Sequence, residues 1–230
     1  MAKAAPFIAL LAGAVALLGL LGAQLGIFAP MTAFTMFAAG ALLGGLLSVL
    51  AGLVGAFLSR GGRNPDGMKL SLAGLAAGVG LLAVVAVAGS PGADLPPIND
   101  IATDLDTPPQ FADPQIVPSY VGRDMSYPAD FVPQVRAAYA DLAPLTLDTP
   151  PGETFEAALA LAEEMGCEIT ARSAERFVFD AEDETSLFRF VDDVTVRITA
   201  AGGRSKVDIR SKSRDGKSCL LYTSDAADDY

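Results

Sequence analysis

Three stretches of the chain carry no charged side chain: AAPFIALLAGAVALLGLLGAQLGIF (Ala4–Phe28), MTAFTMFAAGALLGGLLSVLAGLVGAFL (Met31–Leu58) and LSLAGLAAGVGLLAVVAVAG (Leu70–Gly89). Each reaches the ~20 residues a helix needs to cross the hydrocarbon core of a bilayer, so the pattern predicts three transmembrane helices. The first run is longer than the ~7–15-residue apolar region of a cleaved signal peptide. Pro30 breaks the first two runs apart and predicts a tight helical hairpin. Small residues recur every four positions: Gly40, Gly44, Ser48 and Gly52 in the second run, Gly22 and Gly26 in the first, Gly74 and Gly78 in the third. Such stripes let helix backbones approach closely in lipid. They serve either packing within one three-helix unit or a homo-oligomer interface.

Beyond Gly89 the pattern changes twice. Ser90–Pro118 is rich in Pro and Asp and predicts an extended arm, because proline fixes φ and removes amide donors. Its DLDTPP stretch lacks the Gly and the distal Glu of an EF-hand loop and is read as a turn. Val135, Ala138 and Leu142 mark a short helix. TPPGETFEAALALAEEMG marks a clearer one, with Phe155, Leu159 and Ala162 on its apolar face and Gly166 as its stop. After Gly166 the period becomes two. CEITARS, RFVFD, SLFRFVDDVTVRITA and SKVDIRSKSR read as four strands with short turns between them. Phe188, Phe190, Val194, Val196 and Ile198 are expected inward on the third strand, Val207 and Ile209 on the fourth. The prediction is an α+β domain, an antiparallel four-stranded meander packed on one main helix.

Charge sharpens this division. The chain of 230 residues carries a net charge of -11, yet up to Pro91 its only charged residues are Lys3, Arg60, Arg63, Asp66 and Lys69. The first part is therefore positive and the remainder strongly acidic. With three spans, Lys3 and the Arg60–Lys69 loop fall on the same side. The positive-inside rule makes that side cytoplasmic and leaves the acidic domain outside. Expected limits are 1–91 for the spans, 92–118 for the arm, 119–218 for the α+β domain and 219–230 for a tail. The absence of ionisable residues within the spans disfavours a transporter or channel.

Candidate chemistry is sparse. With no histidine and two cysteines, neither His-based metal sites nor Ser-His or Cys-His dyads can form. No catalytic residue, metal ligand or cofactor is assigned, and no nucleic-acid partner is expected. Asp192 interrupts the alternation of its strand. Asp192 and Asp193 are thus candidates for a buried carboxylate paired with Arg, or for a β-bulge that resets the register. Asp193, Arg197, Asp208, Arg210, Lys212 and Arg214 then lie on the outward face of the last two strands. That face is either a solvated cross-strand charge ladder or a basic rim. In the second case Arg210, Lys212 and Arg214 bind an anionic envelope component or lipid head group.

The stretches PPINDIATDLDTPPQF (Pro96–Phe111), FRFVDDVTVRI (Phe188–Ile198) and VDIRSKSRDGKS (Val207–Ser218) carry a resemblance to a bacterial family catalogued as domain of unknown function 1499. The resemblance covers about the last half of the chain. It implies a bacterial inner-membrane protein with a periplasmic C-terminal domain and no established activity. Members of that family carry a His where Asn99 stands, so a role resting on that His does not carry over. They also continue past the equivalent of Ser218 into a further helix. Here Cys219–Tyr230 matches the translation of a transposase sequencing adapter, and those residues are expected to be foreign to the fold. Cys167 is then the one native cysteine, expected as a small core residue. The leading expectation is a membrane-anchored binding or envelope-structural protein. The alternatives are a hydrolase using carboxylates such as Asp180, Asp192 or Asp193, and a transporter-associated subunit.

Overall fold

The computed structural model describes residues 3–60, 64–88 and 96–215. Arg63, Lys217 and the tail Cys219–Tyr230 lie outside the described residues. The chain forms two compact units, one helical and one built on a sheet.

The helical unit contains three helices long and apolar enough to cross a membrane: α1 (Ala4–Gln24), α2 (Pro30–Leu58) and α3 (Pro65–Ala88). Pro30 occupies the first position of α2, where its missing amide costs nothing. Gly26, at φ +66°, turns the chain between α1 and α2. Large side chains point out of the bundle, as Leu10 (72% exposed) and Leu43 (64%) do, while Ala5, Ala12, Ala33 and Ala41 are buried. In lipid this inverted arrangement is the stable one, since association there depends on close backbone contact rather than on apolar burial.

The small-residue stripe of α2 makes that contact inside the unit. A Cβ added at Gly40 would stand 2.7 Å from the Ala12 carbonyl oxygen of α1, and one at Gly52 would stand 2.7 Å from Leu75 Cβ of α3. Between them lies Ser48, fully buried, whose hydroxyl lies 2.9 Å from the Ala5 carbonyl of α1 and 2.8 Å from the Gly74 carbonyl of α3. The stripe thus passes from one neighbour to the other along α2. A single wide turn of π-helix at Gly40–Gly44 sits at that transition.

The sheet domain has six strands: β1 (Asp100–Ala102), β2 (Leu145–Leu147), β3 (Glu168–Ser173), β4 (Val178–Glu184), β5 (Val191–Ala201) and β6 (Arg204–Ser213). β3 to β6 form the expected antiparallel meander, and β1 and β2 both pair with the free edge of β6. Helix α5 (Pro151–Glu164) covers one face; a shorter helix, α4 (Val132–Ala138), precedes it in the chain. Proline opens α5, and Gly166 at φ +90° ends it. At its start Thr149, Thr154 and Ser205 form a closed chain of hydroxyl contacts of 2.6–3.0 Å that returns to the Thr149 carbonyl.

The main core lies between α5 and the sheet. Phe155 and Leu159 pack on Phe179, Ala181, Val194, Val196, Ile198 and Val207, with Cys167 and Ile169 at the margin. A second cluster joins Ile98 and Ile101 to Val135 of α4. Two strand readings need correction. Phe188 and Phe190 precede β5 rather than lie in it, because Arg189 adopts φ +60° and breaks the extended backbone. Phe190 is held instead by hydrogen bonds with Thr185. No bulge occurs at Asp192–Asp193, where β5 pairs without interruption with β4 and β6. The register shift in the sheet falls in β3, between Ile169 and Ala171.

Candidate functional site

Strict alternation along β5 and β6 sends every second side chain to the face opposite α5. The register places Asp193 opposite Lys212, Thr195 opposite Arg210 and Arg197 opposite Asp208. β4 adds Asp180 and Glu182 beside Thr195 and Asp193, and β1 adds Asp100 beside Lys212. The whole face is therefore charged or polar. A face of this kind reads as solvated in sequence, and here the structure corrects that reading. Asp100, Asp193, Asp208 and Arg210 are all 0% exposed. They are covered by the segment from Asp104 to Tyr127, the Pro-rich arm and the residues after it.

Buried charge is stable only when paired and hydrogen-bonded. Arg210 meets the condition completely. Its Nε and Nη2 donate to the two oxygens of Asp100 at 2.8 Å each. Nη1 donates to the Pro109 carbonyl (3.1 Å) and Nη2 also to the Met125 carbonyl (2.9 Å). The rings of Phe111 and Tyr127 lie 4.7 and 5.2 Å from its guanidinium carbon. One side chain of the sheet thereby fixes two points of the covering segment and packs against two of its aromatic rings.

Two satellite groups extend the layer. At one end Asp193 accepts from Arg123 (2.6 Å) and from Arg214 (2.6 Å), and Arg214 also pairs with Glu182. At the other end Asp208 pairs with Arg197 (2.9 Å), and Lys206 bridges Asp208 and Asp104. Burial opposes ionisation of Asp104, but the Lys206 ammonium and the hydrogen bonds from Thr107 hold its carboxyl well below the usual carboxylate range. This Asp104–Thr107 turn is the DLDTPP stretch of the sequence, closed by Asp104 itself.

Asp180 differs from the other carboxyls of the layer. It is 1% exposed, and both of its hydrogen bonds reach Oδ2, from the Ala112 amide (2.7 Å) and the Tyr120 hydroxyl (3.3 Å). Among the described residues neither Oδ1 nor Thr195 Oγ1, on the paired residue of β5, meets hydrogen-bond geometry, yet the Thr195 hydroxyl acts on Asp180 as a donor that favours its ionised form. Burial pushes its carboxyl above the ordinary range, with the negative charge of Asp193 adding to the effect. The Tyr120 hydroxyl is pushed up as well, by burial and by the same two carboxyls.

The residues singled out from sequence distribute as follows. Arg210, Lys212 and Arg214 share the charged face; Arg210 is fully buried, whereas Lys212 and Arg214 keep 12% and 23% side-chain exposure. Asp193 shares that face too, but Asp192 points to the opposite one, the side of Val194 and Val196, at 5% exposure. Asp180, Asp192 and Asp193 therefore do not converge on one site. Asn99 pairs with Ser213, its side-chain amide donating to the Ser213 carbonyl at 3.1 Å. Sequence reasoning missed Asp100, Arg123 and Tyr120, whose roles arise only when the covering segment folds back over the sheet. The one signal available was an Asp- and Pro-rich segment facing strands rich in Arg and Lys. Among the described residues, no group of three or more Asp, Glu, Cys or His is placed to hold a metal ion.

No curated protein and no solved structure matches the chain. A family model described as "Protein of unknown function (DUF1499)" matches residues 100–223. The match begins at Asp100, the carboxylate that anchors Arg210, and spans the entire charged layer through Arg214. It covers more than half of the chain, which therefore belongs to the DUF1499 family.

Proposed function

We propose that this protein is a membrane-anchored module whose sheet domain works outside the cytoplasm as a binding or envelope-structural unit, at the inner membrane of a bacterium. The observation that carries the proposal is the fate of its charges. The cations that looked available for chemistry are paired internally and fasten the covering segment to the sheet. The candidate carboxylates Asp180, Asp192 and Asp193 are buried and lie on two different faces. The placement rests on span number and on Lys3, Arg60 and Lys69 falling on one side. Alkaline phosphatase fused after Gly92 is expected to be active in cells, and green fluorescent protein at the same point dark. The reverse pattern would place the domain in the cytoplasm.

Lys212 and Arg214, partly exposed at the edge of the layer, are the side chains through which an anionic envelope component would be met, with Arg210 supporting them from beneath. Replacing Lys212 and Arg214 together with Gln is expected to weaken retention of the full-length protein, in neutral nanodiscs, on phosphatidylglycerol vesicles. Each charge is worth up to ~1 kcal/mol at a membrane surface, so the loss from removing two should reach at most about thirtyfold at low salt. Equal retention of both proteins would leave these cations a structural role alone.

A further inference from the structure

We infer that the turn between β4 and β5, Ser186–Arg189, is a membrane-inserted peg. It enters the hydrocarbon layer beside α2, with Phe188 as its anchor, Leu187 turned to lipid and Gln24 as the group that makes its backbone tolerable there. Although the turn joins two strands, it belongs to the helical unit and not to the sheet domain. Phe188 is 7% exposed, and its ring lies 5.5 Å from that of Phe34 and 5.4 Å from that of Phe37, in edge-to-face contact with both. Exposed apolar side chains of this unit face lipid, as Leu10 and Leu43 do, and Leu187, 52% exposed, is one of them.

The depth of the turn follows from the helices. α1 has 21 residues, ~31 Å of helix, which matches the ~30 Å hydrocarbon core, so its last residue, Gln24, stands near one face of the bilayer. Gly19, more than a turn below that end, packs against α2 at Phe37: a Cβ added there would lie 3.0 Å from the Phe37 amide nitrogen. Phe37 is therefore about 7 Å inside the hydrocarbon, and the ring of Phe188 packs on it and on Phe34, which is one turn nearer the surface. Arg189, next in the chain, reaches back to the boundary. Its Nη1 lies 3.8 Å from the position a Cβ would take on Gly26, in the turn beyond α1. Leu, Phe, Arg is the order expected of a loop dipped through the head groups, where an arginine keeps its charge at the wet surface.

Backbone polar groups are the obstacle to any turn at that depth, because no water is there to meet them. The Gln24 carboxamide takes the place of water: its Nε2 donates to the carbonyls of Ser186 (2.6 Å) and Leu187 (2.8 Å). A glutamine closing an otherwise apolar helix has in that contact a reason that the helix itself does not provide. The neck of the turn closes on itself, the Thr185 amide donating to the Phe190 carbonyl at 2.8 Å and the Phe190 amide to Thr185 Oγ1 at 2.9 Å. The inference rests on the three spans and holds for either orientation of the protein in the membrane.

The chain has no tryptophan, so Leu187→Trp supplies a fluorophore that reports on the turn alone. The full-length variant is reconstituted in phosphatidylcholine vesicles, with and without bromine on the upper part of the acyl chains. It is compared with Leu161→Trp, at an exposed position on α5 of the sheet domain. The indole of Leu187→Trp is expected to be quenched by the brominated lipid and to be several-fold less accessible to aqueous iodide than that of Leu161→Trp. Equal access to iodide at the two positions, or no quenching by the brominated lipid, overturns the peg. Adding Gln24→Leu removes the donor while keeping α1 apolar, and should lower the lipid quenching of Leu187→Trp about twofold or more. Unchanged quenching would overturn the role given to Gln24. Should the double variant fail to fold, Leu187→Trp by itself still decides between a turn in lipid and a turn in water.

Discussion

Replacing Arg210 with leucine is expected to destabilise the sheet domain by about 3–5 kcal/mol, a cost typical of breaking a buried ion pair by removing one partner. The change leaves Asp100 at 0% exposure with Lys212, 3.1 Å away, as its one remaining cation among the described residues. It also strips the Pro109 and Met125 carbonyls of their donor and opens a gap between the rings of Phe111 and Tyr127. The midpoint of thermal unfolding, followed by far-ultraviolet circular dichroism of the full-length protein, should fall on the order of 10 °C. Adding Asp100→Asn to Arg210→Leu should recover part of the loss, since the orphaned charge accounts for much of it. A fall under about 2 °C for Arg210→Leu would show that the covering segment is held by other means.

Phe155→Ala is the second large effect, about 3–5 kcal/mol from lost transfer energy and the cavity left behind. Phe155 is 1% exposed and lies at the centre of the contact between α5 and the sheet, with Phe177 and Phe179 at ring separations of 5.9 and 6.0 Å. Leu161 on the same helix is 57% exposed, and its replacement by Ala should change stability by less than about 0.5 kcal/mol. Chemical denaturation of both variants checks the contrast. Equal destabilisation by the two would contradict the assignment of the helix face.

Both effects bear on what the sequence could disclose. Phe155, Leu159, Val194, Val196 and Ile198 were legible because burial against a helix imposes a period of 3.6 on one partner and of two on the other. The transmembrane spans were legible because bilayer thickness fixes a minimum apolar length. Arg210 was legible as a member of its face but not as a buried residue. Alternation reports which side a side chain takes, and says nothing of what lies over that side. Its partner Asp100 stands 110 positions away in a three-residue strand too short for any period to register. The fate of Asp192 was misjudged for a related reason. A carboxylate on the apolar face looks untenable until the polar company at that end of the face is known, where Ser213 of β6 lies opposite it. The break at Arg189 left no trace in the sequence, since φ +60° at arginine has no compositional mark.

The wide turn at Gly40–Gly44 gives α2 two angular settings in one helix. Gly40 and Gly44 face α1 above it, and Gly45 and Gly52 face α3 below. An α-helix advances ~100° per residue. Deleting one residue within the wide turn would restore a regular helix with both flanks near their present setting, because that turn holds the one extra residue; deleting one between Gly45 and Ser48 instead would swing everything beyond it by about that angle. Ser48 would leave the Ala5 and Gly74 carbonyls, and bulky leucines would arrive where the backbones touch. Residue count in this span is thus as constrained as residue identity. Conservative exchanges among its outward leucines cost little, whereas an insertion or deletion of one residue outside the wide turn, neutral by hydropathy, would rotate the rest of the span out of contact.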